Sequence, residues 1–241
     1  MLRAAALEVA GVARLGPVWA SGLRPGELTG GFVEPYRTPI LLAAGFGATK
    51  TTWGPLAHRL RDEGFPVQSV HFNPLMPLTA LYRRLSDEAF RAMDACGTDK
   101  VSLVGHSMGG LVARGAAVGA LEGHARSVVT IGSPHRGAPL ARLSRPFGVL
   151  AGPGAAQDMC PGSPALRELG RHPGSAATEW TAIASRTDQL VPPSSARLPT
   201  DGTLAGPVHN VVVTGVGHVG MLLVKPVLDA ALAAVDAGRA G

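Results

Sequence analysis

The stretch of sequence that decides the fold is Gly105-His106-Ser107-Met108-Gly109-Gly110. It follows the apolar, strand-like run 100–104 and precedes the helix-like run 111–117. A Gly-x-Ser-x-Gly pattern at such a strand-to-helix junction is typical of a nucleophile elbow, a sharp turn with the serine at its apex. The turn is strained for a residue with a Cβ atom, and the two glycines that flank the serine leave it room. We therefore interpret Ser107 as a candidate nucleophile.

Strand-like and helix-like runs alternate along the rest of the chain. The predicted strands are 39–44, 67–72, 100–104, 127–132, 180–185 and 208–214, and the predicted helices are 53–63, 78–96, 111–117 and 222–237. This alternation predicts the α/β class, with a mostly parallel central sheet and helices on both of its faces. In such sheets the functional site lies at the carboxyl ends of the strands.

The chain divides into a leader and one domain. Residues 1–38 contain a helical stretch and a Gly/Pro-rich connector, and residues 39–241 are long enough for one α/β domain with a substantial core. Within that domain, residues 137–177 are rich in Gly, Pro, Ala and Ser and have too little apolar periodicity for a core of their own. We expect an insertion over the active site, whose Gly/Pro content would permit it to move as a partial lid.

The composition narrows the range of partners. Hydrophobic residues make up 46% of the chain and charged residues 16%, which argues against disorder. The net charge is +5, but the arginines are scattered and no stripe of cations with aromatic platforms is present, so we expect no nucleic-acid binding. Contact with an anionic membrane or lipid surface stays open. The two cysteines, Cys96 and Cys160, match no zinc or disulfide framework.

The N-terminus bears on localisation. It begins with apolar residues, but Glu8 and Arg14 interrupt them, which a secretory signal avoids. We therefore expect a cytoplasmic protein, with secretion or membrane association through this segment as the alternative.

A serine nucleophile needs a base, and the base needs an orienting carboxylate. In a fold with a nucleophile elbow these follow in the order serine, acid, histidine, each after a late strand. Asp188 lies just beyond the strand predicted to end at Ser185. Two carboxylates compete with it: Glu179 precedes its strand and would lie at the wrong end of the sheet, and Asp201 lies in a turn-like Pro-Thr-Asp-Gly sequence. We predict Asp188 as the acid.

Among eight histidines, His218 has both the order and the location of the base. It follows the last predicted strand in a glycine-rich loop. The alternatives are His106, which precedes the nucleophile, His135, which could line the cleft, and His209, which enters the last strand at the wrong end.

The remaining parts of the predicted site are an oxyanion hole and apolar walls. An oxyanion hole requires two N–H donors, which we assign to the main chains of Met108 and of Phe46, in the loop after the first strand. Apolar side chains gather near the predicted site and would suit an acyl chain. They are Trp53, Val219 and Met221, with Phe147 and Met159 from the insertion.

Four stretches together resemble the bacterial α/β-hydrolases of the lipase/esterase type. They are Gly45-Phe46-Gly47-Ala48, residues 105–110, Gly132-Ser133-Pro134-His135-Arg136-Gly137 and Gly215-Val216-Gly217-His218-Val219-Gly220-Met221-Leu222. The last is especially similar to the C-terminal histidine segment of small bacterial lipases. The resemblance spans about residues 39–237 and leaves out the leader. One departure is Ala44-Gly45, where the family usually has His-Gly before the oxyanion residue.

The resemblance implies an α/β-hydrolase fold and hydrolysis of carboxylic esters, with a small-molecule acyl ester as the substrate and without a cofactor or metal ion. In its terms Ser107 is the nucleophile, Asp188 the acid and His218 the base. An acyltransferase or a thioesterase with the same three residues, a non-catalytic binding module on this fold, and an amide hydrolase are the alternatives. The sequence does not fix the acyl chain length or the oligomeric state.

Overall fold

Six parallel strands form the centre of the protein. The computed structural model describes residues 38–45, 48, 51–139, 141 and 154–237. Its strands are β1 (Ile40–Ala43), β2 (Val67–Val70), β3 (Val101–His106), β4 (Ala125–Ile131), β5 (Glu179–Ser185) and β6 (Val208–Val213). They form one sheet in the order β2-β1-β3-β4-β5-β6, and each of these pairings is parallel. The predicted α/β class, with a mostly parallel sheet, is confirmed.

Helices follow most of the strands, as parallel neighbours require crossover connections. They are α1 (Gly54–Asp62), α2 (Leu78–Cys96), α3 (Met108–Ala117), α4 (Ala155–Asp158), α5 (Pro164–Leu169), α6 (Pro193–Ala196), α7 (Lys225–Ala237) and a 3₁₀ helix at Val219–Leu223.

The sheet is buried on both faces because its side chains alternate between two apolar clusters. On β1, Leu41 and Ala43 join a cluster that contains residues of α2 and α3. Ile40 and Leu42 join a second cluster, with residues of α1 and α7. The helices therefore lie on both sides of the sheet, as predicted.

In α2, the longest of the described helices, a local glycine and a distant carboxylate fix the two ends. It ends at Gly97, whose φ of 63° is left-handed and suits a residue without a Cβ atom. At its start, the main-chain N–H of Leu78 donates to Oδ2 of Asp158 over 2.8 Å. The helix therefore receives its N-terminal acceptor from a residue eighty positions further along the chain, in the insertion.

The last helix corrects one prediction. We predicted a single helix over 222–237, whereas residues Val219–Leu223 form a 3₁₀ helix and α7 begins at Lys225. Pro226 explains the break, because proline lacks an N–H group and is tolerated only in the first turn of an α-helix.

Parts of the predicted leader and insertion lie outside the described residues. These are residues 1–37 of the leader and, within 137–177, Leu140 and residues 142–153. Of the described part of the insertion, Met159, Leu166 and Leu169 are buried in the same cluster as α2 and α3. Movement as a lid stays a prediction. Among the described helices, none combines the length and the apolar character needed to cross a membrane.

Glycines bring α3 into direct contact with the sheet. A Cβ atom on Gly109 would collide with the main-chain carbonyl groups of Ala43 and Ala44 at the end of β1. A Cβ atom on Gly105 would likewise collide with the main chain at Gly109 and Gly110. The first turn of α3 can therefore lie against β1 and β3 only because these positions carry no side chain.

We predict that Gly109→Ala lowers the free energy of unfolding by about 3 kcal/mol, because backbone atoms cannot move aside for the added methyl group. Gly170→Ala is the matched control, since Gly170 has an ordinary φ of −71° and its added Cβ would lie no closer than 3.4 Å to its nearest non-adjacent neighbour. Urea denaturation measures both. Equal effects of the two substitutions would contradict the packing argument.

Candidate active site

The loops that carry the predicted site residues leave the same edge of the sheet. The carboxyl ends of neighbouring strands lie in register, with Ala43 beside Gly105, His106 beside Ile131 and Ser185 beside Val213. Ser107 follows β3, Asp188 follows β5 and His218 follows β6. Residues far apart along the chain therefore meet at this edge.

Asp188 and His218 form a hydrogen-bonded pair. The Nδ1–H group of His218 donates to Oδ2 of Asp188 over 2.7 Å, and both residues are buried. The other carboxylate oxygen of Asp188 accepts from the main-chain N–H groups of Leu190 and Val191, over 2.8 and 2.9 Å. The carboxylate is thus held at both oxygens, and the bond to Nδ1 makes Nε2 of His218 the proton-accepting nitrogen.

Two hydroxyl groups fasten the loop of His218 to the loop of Asp188. Oγ of Ser185 donates to the carbonyl oxygen of Val216 over 2.6 Å, and Oγ1 of Thr187 donates to the same oxygen over 2.8 Å. Neither hydroxyl group was predicted from the sequence as part of the site. Their signal is the short polar stretch 185–188, which contains two hydroxyl side chains just before the carboxylate.

Ser107 has the backbone of a nucleophile elbow. Its φ is 55° and its ψ is −124°, and among the described residues it alone has a positive φ without being a glycine. Its N–H group donates to the carbonyl oxygen of Ile131 over 2.9 Å, which fixes the turn to β4. This conformation costs on the order of 1–3 kcal/mol and requires a rigid surrounding.

Of the two predicted oxyanion donors, the structure describes only Met108. Met108 is the first residue of α3, and N–H groups of a first helical turn have no partner inside the helix. Phe46, the second predicted donor, lies outside the described residues. Its neighbour Gly45 is described, and a Cβ atom there would lie 3.1 Å from Cβ of Ser107. The loop after β1 therefore passes beside the serine.

Gly132 makes room for the Asp188–His218 pair. Its φ is 57°, and a Cβ atom there would collide with the Met221 side chain and lie 3.3 Å from both Oδ2 of Asp188 and Cε1 of His218. This glycine belongs to the motif at 132–137, whose sequence alone predicts no role for it.

The competing carboxylates lie away from the pair. Glu179 begins β5 and so lies at the opposite edge of the sheet. Asp201 is exposed and accepts from the main-chain N–H of Thr203 over 3.1 Å, a local turn of the kind expected.

Two of the competing histidines, His209 and His135, also lie away from the Asp188–His218 pair. His209 is exposed near the start of β6. His135 is buried, and its Nε2 is 3.0 Å from Oγ1 of Thr130, in the interior rather than at the pair.

The predicted pocket residues that the structure describes are mostly enclosed. Trp53 and Met221 are fully buried members of the cluster that contains α1 and α7. Val219 is partly exposed at the start of the 3₁₀ helix. Met159, which belongs to the insertion, is buried, and Phe147 lies outside the described residues. A role for these side chains in binding an acyl chain stays a prediction.

His106 is the histidine next to Ser107, and it is 5% exposed. Its Nε2 lies 3.1 Å from the main-chain oxygen of His218, and the two imidazole rings are 4.7 Å apart. Burial, together with the positive charge that His218 can carry, lowers the pKa of His106 to about 3. His106 is therefore neutral near pH 7, and its contact brings His218 to the residue that precedes Ser107.

Comparison with known proteins identifies the fold. A family model described as a PGAP1-like alpha/beta domain matches residues 79–145, less than half of the chain. No curated protein sequence matches significantly. Among solved structures, the mature form of Bacillus licheniformis lipase BlEst2 is 18% identical, with a TM-score of 0.69, over 87% of this chain and 99% of that one.

Two further structures lead to the same class. Est1E from Butyrivibrio proteoclasticus is 13% identical with a TM-score of 0.64, over 86% of this chain and 90% of that one. MGS-MChE2, an alpha/beta hydrolase from a lagoon-sediment metagenome, is 17% identical with a TM-score of 0.62, over 86% and 94%. The chain therefore has the α/β-hydrolase fold, as the sequence resemblance implied.

We predict that Ser107→Gly is more stable to urea than Ser107→Ala by about 1 kcal/mol. Both variants lack the hydroxyl group, but glycine adopts a positive φ without strain, which outweighs the extra freedom that it gains on unfolding. An alanine variant as stable as the glycine variant, or more stable, would mean that the elbow is not strained.

The buried histidines predict acid sensitivity. Because the pKa of His106 is about 3 when folded and near 6.5 when unfolded, the unfolded chain binds the proton first as the pH falls. Stability is therefore complete above about pH 6.5 and is lost below it, by about 1 kcal/mol per pH unit for this group. Burial and the charge of Arg114 lower the pKa of His135 in the same direction.

Urea midpoints at pH 7 and pH 5 test this sensitivity. His106→Gln should lose less stability between these pH values than the wild type does, whereas His209→Gln, at an exposed position, should behave like the wild type. The idea fails if His106→Gln retains the full dependence on pH.

Proposed function

We propose that this protein is a serine hydrolase that cleaves carboxylic esters through an acyl-enzyme intermediate, with Ser107, His218 and Asp188 as the catalytic residues. The observation that carries this proposal is the buried 2.7 Å hydrogen bond between Nδ1 of His218 and Oδ2 of Asp188, at the edge of the sheet where Ser107 forms its turn. A carboxylate that orients an imidazole near a strained serine is the arrangement that nucleophilic acyl transfer requires.

The reaction begins with proton transfer from the serine. Nε2 of His218 accepts the hydroxyl proton while Oγ of Ser107 attacks the ester carbonyl. The carboxylate of Asp188 stabilises the imidazolium that results, and it keeps the ring in the tautomer with the proton on Nδ1. The alcohol then leaves with a proton from His218, and a water molecule activated by the same nitrogen releases the acid.

Negative charge develops on the carbonyl oxygen in the tetrahedral intermediate. The main-chain N–H of Met108, at the start of α3, is one donor for this charge. The positive end of the helix dipole lies at the same place and acts in the same direction. We assign the second donor to the main chain of Phe46, next to Gly45, which runs beside Ser107.

The comparisons support ester chemistry on this fold. The similar structures are a lipase of Bacillus licheniformis and other α/β-hydrolases. The match to the lipase covers 99% of that chain, so the two have similar dimensions. We infer a small acyl ester as the substrate. Contact with a lipid surface stays a prediction.

We predict that the wild type hydrolyses p-nitrophenyl esters and that Ser107→Ala abolishes this turnover, because no other described group takes the place of the hydroxyl at the elbow. Asp188→Asn should lower kcat roughly 10³–10⁴-fold, since an amide no longer favours the tautomer with Nε2 unprotonated. Release of p-nitrophenol over a series of acyl chain lengths measures both effects and the chain-length preference.

The competing residues supply matched controls. Asp201→Asn and His209→Gln make the same chemical changes at exposed positions away from the pair and should leave kcat within a few-fold of the wild type. Turnover in Ser107→Ala equal to that of the wild type would reject the nucleophile, and a loss in Asp201→Asn as large as that in Asp188→Asn would reject the acid.

A further inference from the structure

A second contact holds His218 at its main chain rather than at its ring. The Asp188 bond fixes the ring at Nδ1, while Nε2 of His106 lies 3.1 Å from the main-chain oxygen of His218. The hydrogen bond to Asp188 acts on the ring, and the hydroxyl groups of Ser185 and Thr187 hold the same loop at Val216, two residues earlier. The contact with His106 acts on the main chain of His218 itself.

The acceptor determines the direction of the hydrogen bond between His106 and His218. A carbonyl oxygen cannot donate, so Nε2 of His106 carries the proton and donates it. His106 is neutral, because burial lowers its pKa to about 3. A neutral ring beside His218 is important for the proposed reaction, since a second positive charge 4.7 Å away would oppose formation of the imidazolium.

His106 also contacts the loop that follows β1. A Cβ atom on Gly45 would lie 3.2 Å from Nδ1 of His106 and 3.1 Å from its main-chain oxygen. The imidazole therefore fits against a glycine, directly before the residue assigned as an oxyanion donor. The side chain of His106, at the end of β3, thus contacts both the loop that carries His218 and the loop that carries Gly45 and Phe46.

We propose that His106 is a positioning residue: its Nε2–H group holds the main chain of His218 so that the imidazole keeps its place relative to Ser107. This inference rests on the proposed function, because His218 is taken there as the base. Ser107 follows His106 directly in the chain, so the same residue fixes the distance between the nucleophile and the base.

Steady-state kinetics of two variants test the positioning role. His106→Leu removes the donor and retains an apolar side chain, so kcat should fall about 10²-fold through misplacement of the base, with KM little changed. His106→Gln keeps an N–H donor near the position of Nε2 and should restore kcat to within a few-fold of the wild type. Should His106→Leu not fold, His106→Met replaces it, since methionine adapts to irregular space.

His135 provides the matched control. It is also a buried histidine with a hydrogen bond, but its partner is Thr130 rather than His218. His135→Leu and His135→Gln should change the thermal midpoint without the loss of kcat and its rescue that the His106 pair shows.

The outcomes separate this inference from the proposed function. If the wild type does not turn over esters, or if Ser107→Ala matches it, the proposed function is wrong. If the wild type is active and sensitive to Ser107→Ala but His106→Leu keeps its kcat, the positioning role is wrong. Equal losses in His106→Leu and His106→Gln, or a loss of kcat in His135→Leu as large as that in His106→Leu, would also overturn it.

Discussion

The contact of helix α3 with the sheet is the constraint on which the rest of the structure depends. Gly105 and Gly109 remove the side chains that would keep the helix away from β1 and β3. The helix can therefore begin directly after β3, and Ser107 is forced into a backbone conformation with a φ of 55°. This close approach also directs the first N–H groups of α3 to the edge where the other loops of the site meet.

The polar groups at that edge of the sheet surround the imidazole of His218. Asp188 is held by two main-chain N–H groups, and its other oxygen accepts the proton on Nδ1 of His218. The neighbouring imidazole of His106 stays neutral because it is buried. The glycine at position 132 leaves the space in which carboxylate and imidazole meet. The site thus needs small residues as much as it needs reactive ones.

Local patterns predicted much of this structure, and distant contacts account for what they missed. The bounds of α2 and its end at Gly97 follow from apolar spacing and a glycine stop, and the late carboxylate and histidine follow from the order of strands. The Asp158 acceptor at the start of α2 could not be predicted, since it lies in an insertion without periodicity. The contact of His106 with the backbone of His218 could not be predicted either, because it joins residues far apart in the sequence and no spacing pattern indicates it. Phe46 lies outside the described residues, and its assignment as a donor stays a prediction.

Covalent labelling by a fluorophosphonate tests the central claim most directly, because this reagent needs a serine that a neighbouring base has activated but does not depend on the identity of the ester. Mass spectrometry of the labelled protein should find one adduct, on Ser107, and the rate of labelling should fall steeply in His218→Gln. An adduct on another serine, no adduct at all, or a labelling rate that His218→Gln leaves unchanged would contradict the account.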